Sequence, residues 1–496
     1  MFLPWLIILP IIGGILCFPL ARIATEVPRW ISLIVCGLIL ILSFEILWKN
    51  NYAFMQYGKE LSFWQPEYSM AWISRFGINV HLSIDGLSLL MVVLSGLLGM
   101  MAVLCSWREL EDSPGWFHFN MMLILCGVIG IFLSQDLFLF FCFWEIMIIP
   151  MYFLISLWGH KEFSETSRIT AALKFFIYTQ SSGLLLLIAI IALGLSHYAA
   201  TKLWTFSYLQ LLHHAQMSYT LEYILMLCFF IAFAVKLPLV PFHGAVIDAH
   251  SFAPTAGAID LIGLLIKTGG YGLLRFSFLL FPRASINFAP IAMMLGIISI
   301  FYGSWMAFNQ NDIKRLVAYT SLSHMGFLVI GIYTNNSLAY QGTVLQMISH
   351  SLSAAGLFIV CGLLYERLHT RNMCQIEGLW HNINYLPAFT IFFALATMGL
   401  PGTGNFLGEF LILFGSYGFF PKVTIIASFG IIFATVYSLI MIQRIFFGYP
   451  NLSLRLKKMS IREFFILGLL MCLLLGLCFY PQPVINISSW SYINIP

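Results

Sequence analysis

Residues 229–240 read FFIAFAVKLPLV, and this stretch decides the fold because it places a lysine and a proline inside a continuous apolar run. Pro238 removes a backbone donor and clashes with the preceding helical turn, so a helix through this stretch is expected to break there. Residues 392–403, FFALATMGLPGT, repeat the pattern. The Phe-Phe pairs and the Leu-Pro pairs of the two stretches are both offset by 163 residues. The sequence therefore predicts two broken helices in corresponding places.

The composition indicates what surrounds these helices. Of the 496 residues, 60% are hydrophobic and 9% are charged, whereas soluble domains carry about 25% charged residues. So few charges cannot form a solvated surface, which excludes a soluble enzyme and makes lipid the surrounding medium. The net charge of +4 includes no basic block, so no nucleic-acid partner is expected. The ten cysteines are scattered without a CxxC pair, and neither disulfides nor an iron–sulfur site is expected.

Apolar runs long enough to cross a bilayer recur along the whole chain. A spanning helix needs about 20 mostly apolar residues, and about fourteen such runs lie near residues 3–20, 30–48, 87–107, 116–134, 137–158, 172–198, 219–242, 252–280, 286–308, 313–333, 338–364, 386–416, 423–447 and 463–480. About 14 basic residues follow odd-numbered runs and about 6 follow even-numbered ones. By the positive-inside rule, the odd connections are cytoplasmic and both termini lie outside.

The repeated pattern divides the chain into four parts. We predict three N-terminal helices (1–115), two five-helix units (116–282 and 283–449), and a C-terminal loop with the last helix (450–496). Because each unit has an odd number of spans, the second unit begins on the opposite membrane face, which gives an inverted repeat. Paired broken helices in two inverted halves point to an ion site near the midplane. Two unrelated, proline-kinked structural helices are the alternative interpretation.

Six ionisable side chains within the predicted spans form the candidate site: Glu145, Lys236, Lys267, His324, His350 and Glu409. A charge at the bilayer centre costs about 2.5–3.5 kcal/mol on insertion scales. Each group alone can be explained as a polar residue that holds helices together, but small residues achieve helix packing without this cost. A row of acids, lysines and histidines suits proton transfer. A nearby carboxylate stabilises the charged form of a buried lysine, so the lysine can bind a proton when the carboxylate is near and release it when the carboxylate moves away. Asp260 precedes Lys267 by about two turns, so both are expected on one face.

Three other patterns are set aside. Residues 402–408, GTGNFLG, approach a dinucleotide-binding fingerprint, but the last spacing is wrong and no strand precedes it. His243 and His250 lie seven residues apart in a connection, where a polar turn is a better interpretation than a zinc pair. Lys174 and Arg275 are interpreted as anchors near the membrane interface. No metal or cofactor site is therefore expected in this chain.

Five runs of sequence are specific to a known family: DGLSLLMVVLSGLLG (85–99), FFCFWEIMIIPMYFLISLWGH (140–160), AFAVKLPLVPFHGAVIDAHSFAPTAG (232–257), DIKRLVAYTSLSHMGF (312–327) and LPGTGNFLGEFLILFGS (400–416). Through these runs, and over nearly its whole length, the chain resembles the antiporter-like subunits of the proton-pumping NADH:quinone oxidoreductase, the bacterial respiratory complex I. The resemblance implies an all-α integral membrane protein of about 14 transmembrane helices with two inverted five-helix repeats, each containing a broken helix. It also implies the bacterial cytoplasmic (inner) membrane, with both termini periplasmic.

The resemblance implies a role for each candidate residue. Glu145 matches the family's fifth-helix glutamate, Lys236 its seventh-helix lysine, and Lys267 its connecting lysine. The central polar axis corresponds to His324 and His350. At the position of Glu409 the sister subunits carry a lysine, so the glutamate marks one branch of the family and is the expected outlet toward the periplasm.

The implied activity is proton pumping coupled to electron transfer from NADH to quinone. Partner subunits would bind NADH, FMN, iron–sulfur clusters and quinone, while this chain would contact neighbouring antiporter-like subunits and the lipid bilayer. A subunit of a multisubunit cation/proton antiporter or of a membrane-bound hydrogenase would share the repeat and the lysines, and a purely structural membrane scaffold is a third possibility. One departure concerns residues 243–250, which read HGAVIDAH instead of the family's HGWLPDAH. Loss of the Trp and Pro is expected to loosen that turn.

Overall fold

The computed structural model describes residues 2–57, 67–107, 113–160, 167–214, 217–376, 378–448, 456–489 and 491, without the side chains of 50–57, 213, 214, 260–262 and 381. Its helices are α1 (Leu3–Leu20), α2 (Val27–Tyr57), α3 (Gly86–Cys105), α4 (Pro114–Leu133), α5 (Leu137–Ile146), α6 (Ile148–Trp158), α7 (Arg168–Thr201), α8 (Tyr208–His214), α9 (Tyr219–Lys236), α10 (Gly244–Phe252), α11 (Thr255–Leu280), α12 (Pro282–Phe308), α13 (Ile313–Tyr333), α14 (Ser337–Leu368), α15 (Leu386–Thr397), α16 (Gly404–Tyr417), α17 (Pro421–Phe446), α18 (Ile461–Phe479) and α19 (Gln482–Ser489). The strands are β1 (Glu67–Ile73) and β2 (Ile78–Ser83).

The number of spanning helices agrees with the sequence once one broken span is recognised. In the described parts of the chain, thirteen helices are long and apolar enough to cross a membrane, where the sequence predicts about fourteen. The difference lies in residues 386–416, which form the two short helices α15 and α16 of 12 and 14 residues. Together these halves have the length of one span. The chain is an integral membrane protein built almost entirely of helices.

Polar side chains fix where several helices begin. The carboxylate of Asp85 accepts the backbone N–H of Ser88 at the start of α3, at 2.8 Å. Asp312 does the same for the N–H groups of Lys314 and Arg315 at the start of α13. The first N–H groups of a helix have no partner within the helix, and lipid offers none. The capping carboxylates therefore determine the first residue of these two spans.

Both breaks that the prolines predict are present. Seven residues separate α9 from α10 around Pro238, and six separate α15 from α16 around Pro401. In the second break, Gly399 and Gly402 have φ angles of +78° and +103°. Residues with a Cβ rarely adopt such angles, so glycine is required there. Each break exposes backbone groups inside the molecule, next to the candidate residues described below.

The fifth predicted span contains an interruption that the sequence analysis did not anticipate. It is split at Met147 into α5 and α6. Pro150 has no N–H to donate to the carbonyl of Ile146, so the helical ladder is interrupted at this point. Glu145 therefore lies in the last turn of a short helix rather than in the middle of a continuous one.

A second unexpected feature is the irregular course of α11. Two π-turns, Leu261–Leu265 and Leu273–Ser277, interrupt it, and such turns are frequent at functional sites. Lys267 lies between them. The first π-turn shifts the helical phase between Asp260 and Lys267, and the side chain of Asp260 lies outside the described residues. The shared face expected for this pair stays a prediction.

The connection between α2 and α3 forms a β-hairpin, although no strand is predicted there from the sequence. β1 and β2 pair antiparallel. The carboxylate of Asp136 accepts the backbone N–H of Asn79 at 3.2 Å as well as those of Phe138 and Leu139. Burial raises the pKa of Asp136, while the three bound N–H groups lower it. This side chain thus connects the hairpin to the start of α5.

The core lies in three central helices. Buried residues make up 93, 100 and 94% of the most apolar part of α11, α13 and α14, but only 28–39% in α1, α2, α7, α17 and α18. The outer helices expose large apolar side chains such as Ile188 and Ile432. This surface suits lipid, which cannot satisfy polar groups. Polar side chains on the three central helices are shielded from the membrane.

Candidate functional site

Four titratable side chains form a continuous row in the centre of the molecule. Lys267 of α11, His324 of α13, His350 of α14 and Glu409 of α16 are each at most 2% exposed. Nζ of Lys267 lies 2.9 Å from Nδ1 of His350. The two histidine rings are 5.4 Å apart between centroids, and Nδ1 of His324 lies 2.7 Å from Oε1 of Glu409. The row connects residues from both predicted five-helix units.

Additional polar groups surround the Glu409 end of the row. The amide Nε2 of Gln346 donates to Oε1 of Glu409 at 2.9 Å, and the hydroxyl of Tyr437 lies 3.2 Å from Nε2 of His324. A Cβ added to Gly399 would lie 3.3 Å from Oε2 of Glu409. One carboxylate oxygen therefore faces the row, and the other faces the second helix break.

Lys236 and Glu145 form a separate cluster around Trp144. Nζ of Lys236 lies 3.6 Å from the centroid of the Trp144 ring and donates to the Trp144 carbonyl oxygen at 3.3 Å. Lys236 is 3% exposed, whereas Glu145 is half-buried. The two side chains interact electrostatically but are not within 4.0 Å of each other. Oε1 of Glu145 has no hydrogen-bond partner among the described residues, so the carboxylate is not held in place from that side.

Glycines let neighbouring helices approach both clusters. A Cβ on Gly183 of α7 would overlap Oε1 of Glu145. On Gly269 of α11, a Cβ would lie 2.8 Å from the carbonyl oxygen of Phe233, which is one turn before Lys236. Close helix approach through small residues is the usual packing mode inside membranes. The glycines thus determine how near α7 and α11 lie to the ionisable groups.

The six residues selected from the sequence therefore divide into two groups. Lys267, His350, His324 and Glu409 are in contact, and Glu145 with Lys236 stands apart from them. Within the described parts of the chain, no hydrogen bond joins Lys236 to Lys267. The sequence analysis missed Trp144, Gln346 and Tyr437, whose types are common in apolar helices and give no signal of their own.

His250 also belongs near the row, contrary to its interpretation as part of a polar turn. Residues 244–252 form the helix α10, and Ala245 and Ile247 are buried in it, so the expectation of a loosened turn is wrong. His250 is fully buried, and neither ring nitrogen has a hydrogen-bond partner among the described residues. Lys267 interacts with it electrostatically. No group of three or more His, Cys, Asp or Glu side chains in the described parts of the chain could hold a metal ion.

The interpretation of Arg275 as an interface anchor is wrong. Arg275 is 2% exposed, and its guanidinium lies 3.0 Å from the carboxylate of Asp85 on α3. Lys174 is 39% exposed and lies 2.6 Å from Asp248 of α10. It therefore links α7 to the half-helix that follows the first break.

The helix arrangement and the buried row can now be compared with known proteins. The family described as NADH:quinone oxidoreductase/Mrp antiporter, TM, matches residues 134–435, the part of the chain that carries all six candidate residues. The chain belongs to this family. The resemblance seen in the sequence is thereby confirmed.

Two relatives that align over nearly their full length share a name. NADH-quinone oxidoreductase subunit M of Escherichia coli (strain K12) is 60% identical, with 100% of this chain and 97% of the relative aligned. The protein of the same name from Pseudomonas aeruginosa is 54% identical over 99% of this chain and 96% of the relative.

Solved structures share the fold. A chain of respiratory complex I from Thermus thermophilus with bound NADH has a TM-score of 0.84 and 25% identity, covering 99% of this chain and 100% of that one. A chain of the archaeal membrane-bound sulfane sulfur reductase has a TM-score of 0.86 and 23% identity, covering 100% and 79%. A chain of the Mrp complex from Dietzia has a TM-score of 0.84 and 17% identity. The last two show a common fold alone.

Proposed function

We propose that this chain is a proton-translocating membrane subunit, of the M type, in a bacterial NADH:quinone oxidoreductase. The observation that carries the proposal is the buried row from Lys267 to Glu409, whose members lie within hydrogen-bond or ring-contact distance. Burying each of these titratable groups costs free energy. A structural scaffold does not need four of them side by side. A proton path needs such a series of groups that can each accept and release a proton.

The contacts suggest how a proton moves along the row. Nζ of Lys267 donates to Nδ1 of His350, so a proton that leaves the lysine passes to the imidazole. From there it crosses between the two rings to His324. With Glu409 ionised, Nδ1 of His324 donates to the carboxylate, which then carries the proton. Oε2 of Glu409 faces the second break, and release from this side would lead to the periplasm.

Glu145 and Lys236 supply the free energy that moves a proton against the membrane potential. Trp144 holds the Lys236 ammonium by its ring and its carbonyl oxygen while Glu145 is away. When the Glu145 carboxylate approaches, it stabilises the charged lysine, and when it leaves, the lysine releases a proton. Moving one charge against ~150 mV requires about 3.5 kcal/mol. Forming and breaking one ion pair in a low-dielectric interior changes the free energy by this order.

The redox chemistry belongs to other subunits in this proposal. NADH, FMN, iron–sulfur clusters and quinone would be bound by partner chains, and neighbouring antiporter-like subunits would lie against the outer helices. The two predicted five-helix units would form an inverted repeat around the row. The chain would lie in the bacterial cytoplasmic (inner) membrane with both termini on the periplasmic side. Reporter domains fused to each terminus would test that orientation.

The variant Glu145→Gln tests the proposal in the whole complex. It preserves the shape of the side chain, so the complex should assemble. It removes the charge that would stabilise the protonated Lys236, so NADH-driven proton pumping should fall. Pumping is measured in inverted membrane vesicles by quenching of a pH-sensitive dye, per assembled complex. Glu45→Gln is the matched control, since Glu45 is 41% exposed and paired with Lys49 on a lipid-facing helix.

The outcomes separate the proposal from its rivals. Full pumping by assembled Glu145→Gln would count against proton transfer through this chain. Equal losses in Glu145→Gln and Glu45→Gln would indicate general destabilisation. A cation/proton antiporter or membrane-bound hydrogenase subunit would copurify with different proteins after mild detergent extraction, so the partners identify the complex independently.

A further inference from the structure

A second buried lysine–histidine pair lies outside the row. Lys314, near the start of α13, is fully buried, and its Nζ lies 3.1 Å from Nδ1 of His160, which follows α6 and is 7% exposed. The Lys267–His350 contact of the row has the same atoms at 2.9 Å. Neither His160 nor Lys314 has a place in the path described above.

The pair lies close to the molecular surface on one side. The ring of His160 stacks on half-buried Tyr365 near the end of α14, with 4.1 Å between centroids and 11° between planes. His369 is exposed and its ring centroid is 6.5 Å from that of Tyr365. Exposure therefore decreases step by step from His369 to His160 and Lys314. All four residues lie at ends of spans that the positive-inside rule places on the cytoplasmic face.

On its inner side the pair reaches the segment that leads to the row. Nζ of Lys314 also donates to the carbonyl oxygen of Ala253, at 2.9 Å, between α10 and α11. His250 lies one turn before Ala253, is fully buried, and interacts electrostatically with Lys267. The pair therefore lies next to the end of the short helix α10 that carries His250.

Arg371, a permanent cation in the segment next to the pair, already has an anionic partner. The guanidinium of Arg371 lies 3.1 Å from the carboxylate of Asp312 and also donates to the carbonyl oxygen of Ser251. Arginine does not release its proton in proteins, so Arg371 supports the end of α10 permanently. Lys314 is able to exchange a proton at this end of α10, whereas Arg371 is not. A purely structural cap would not require that property, since a cation at a helix C-terminus is sufficient.

We infer that His160 and Lys314 form a proton entrance that leads from the membrane face where α6 ends to Lys267. This inference rests on the proposed function. Lys314 gives an Nζ proton to a ring nitrogen of His250, which has no hydrogen-bond partner among the described residues and passes the proton on toward Lys267. Lys314 then takes one back from Nδ1 of His160, which is recharged at Nε2 from the surface. Only N–H bonds form and break, and each proton that leaves Lys314 is replaced from His160.

Two conservative variants test the entrance. His160→Gln retains an acceptor for Lys314 but cannot carry a proton, and Lys314→Arg retains the cationic cap but cannot release one. Both should reduce NADH-driven proton pumping per assembled complex about tenfold or more, because a positioned proton-transfer group contributes about 10²–10⁴-fold to a rate. His197→Gln is the control, since His197 is also 7% exposed and bonds to the carbonyl oxygen of Leu203.

The reference is Lys267→Gln in the same vesicles. If it loses pumping while both entrance variants pump normally, the entrance is overturned and the proposed function stands. If Lys267→Gln itself pumps normally, the proposed function fails. Normal pumping by Lys314→Arg alone would assign Lys314 a capping role and overturn the exchange step. A His160→Ala variant that regains pumping with added imidazole would support the entrance, because the site lies only one ring below the surface.

Discussion

The substitution Glu409→Gln removes the charge that binds His324 directly. In the native protein the carboxylate oxygen Oε1 lies 2.7 Å from Nδ1 of His324 and 2.9 Å from Nε2 of Gln346. Glutamine has nearly the same size, so the packing of α16 against α14 should be preserved. The change therefore isolates the charge of Glu409 from its shape.

The magnitude follows from the separation of the two groups. At an effective dielectric constant of about 20, unit charges 2.7 Å apart attract each other by about 6 kcal/mol. Desolvation of two buried charges offsets much of this attraction, and we take about one third, or about 2 kcal/mol, as the net interaction free energy that Glu409→Gln removes. At 1.36 kcal/mol per tenfold change, losing this interaction corresponds to about a 30-fold change in the rate of a step that depends on it.

The assay compares proton pumping with electron transfer in inverted vesicles. Glu409→Gln should assemble normally and oxidise NADH with artificial electron acceptors at the normal rate, while proton pumping through this chain falls by more than about tenfold. Glu45→Gln should leave both quantities unchanged, because Glu45 is exposed. Normal pumping by assembled Glu409→Gln would refute the reasoning, since the row would then work without its terminal acid.

Two further predictions concern residues that position the site. Gly183→Ala should leave assembly intact but reduce proton pumping, because its Cβ would overlap Oε1 of Glu145 and displace the carboxylate; unchanged pumping would show that this carboxylate position is not needed. Arg275→Met leaves Asp85 as an uncompensated buried charge and should lower stability by about 3–5 kcal/mol, seen as loss of assembled complex on native gels at elevated temperature. An Arg275→Met, Asp85→Asn double variant should recover part of that loss, and no recovery would contradict the ion-pair explanation.

The sequence predicts the spans and the breaks well because both depend on local properties. Runs of apolar residues must form helices in lipid, and Pro238 and Pro401 interrupt the helical ladder wherever their helices pack. The split at Met147 has the same cause in Pro150, yet it went unpredicted because an isolated proline within an apolar run is common in membrane helices. The π-turns of α11 and the β-hairpin depend on long-range contacts, such as that of Asp136 with Asn79, and have no local signature.

For the candidate site, the sequence predicts which ionisable residues are buried, but it does not predict which of them contact each other. Charge inside an apolar run identified Lys236, Lys267 and Glu409 directly. That Lys267 contacts His350 rather than Lys236 follows from the crossing of α11 and α14, which no sequence spacing contains. Arg275 was misinterpreted for the same reason, because its partner Asp85 is far away in the sequence.

Hydropathy and the aligned Leu-Pro pairs by themselves determined that this is a membrane protein with two interrupted helices and ionisable groups in its interior. Those features arise from free energies that act on each segment separately: transfer into lipid, the missing N–H of proline and the cost of burying a charge. Only the tertiary structure decided which of those charges meet, because distances of 2.7–2.9 Å within the row are set by how α11, α13, α14 and α16 cross. It also revealed the His160–Lys314 pair, whose two members are 154 residues apart in the chain.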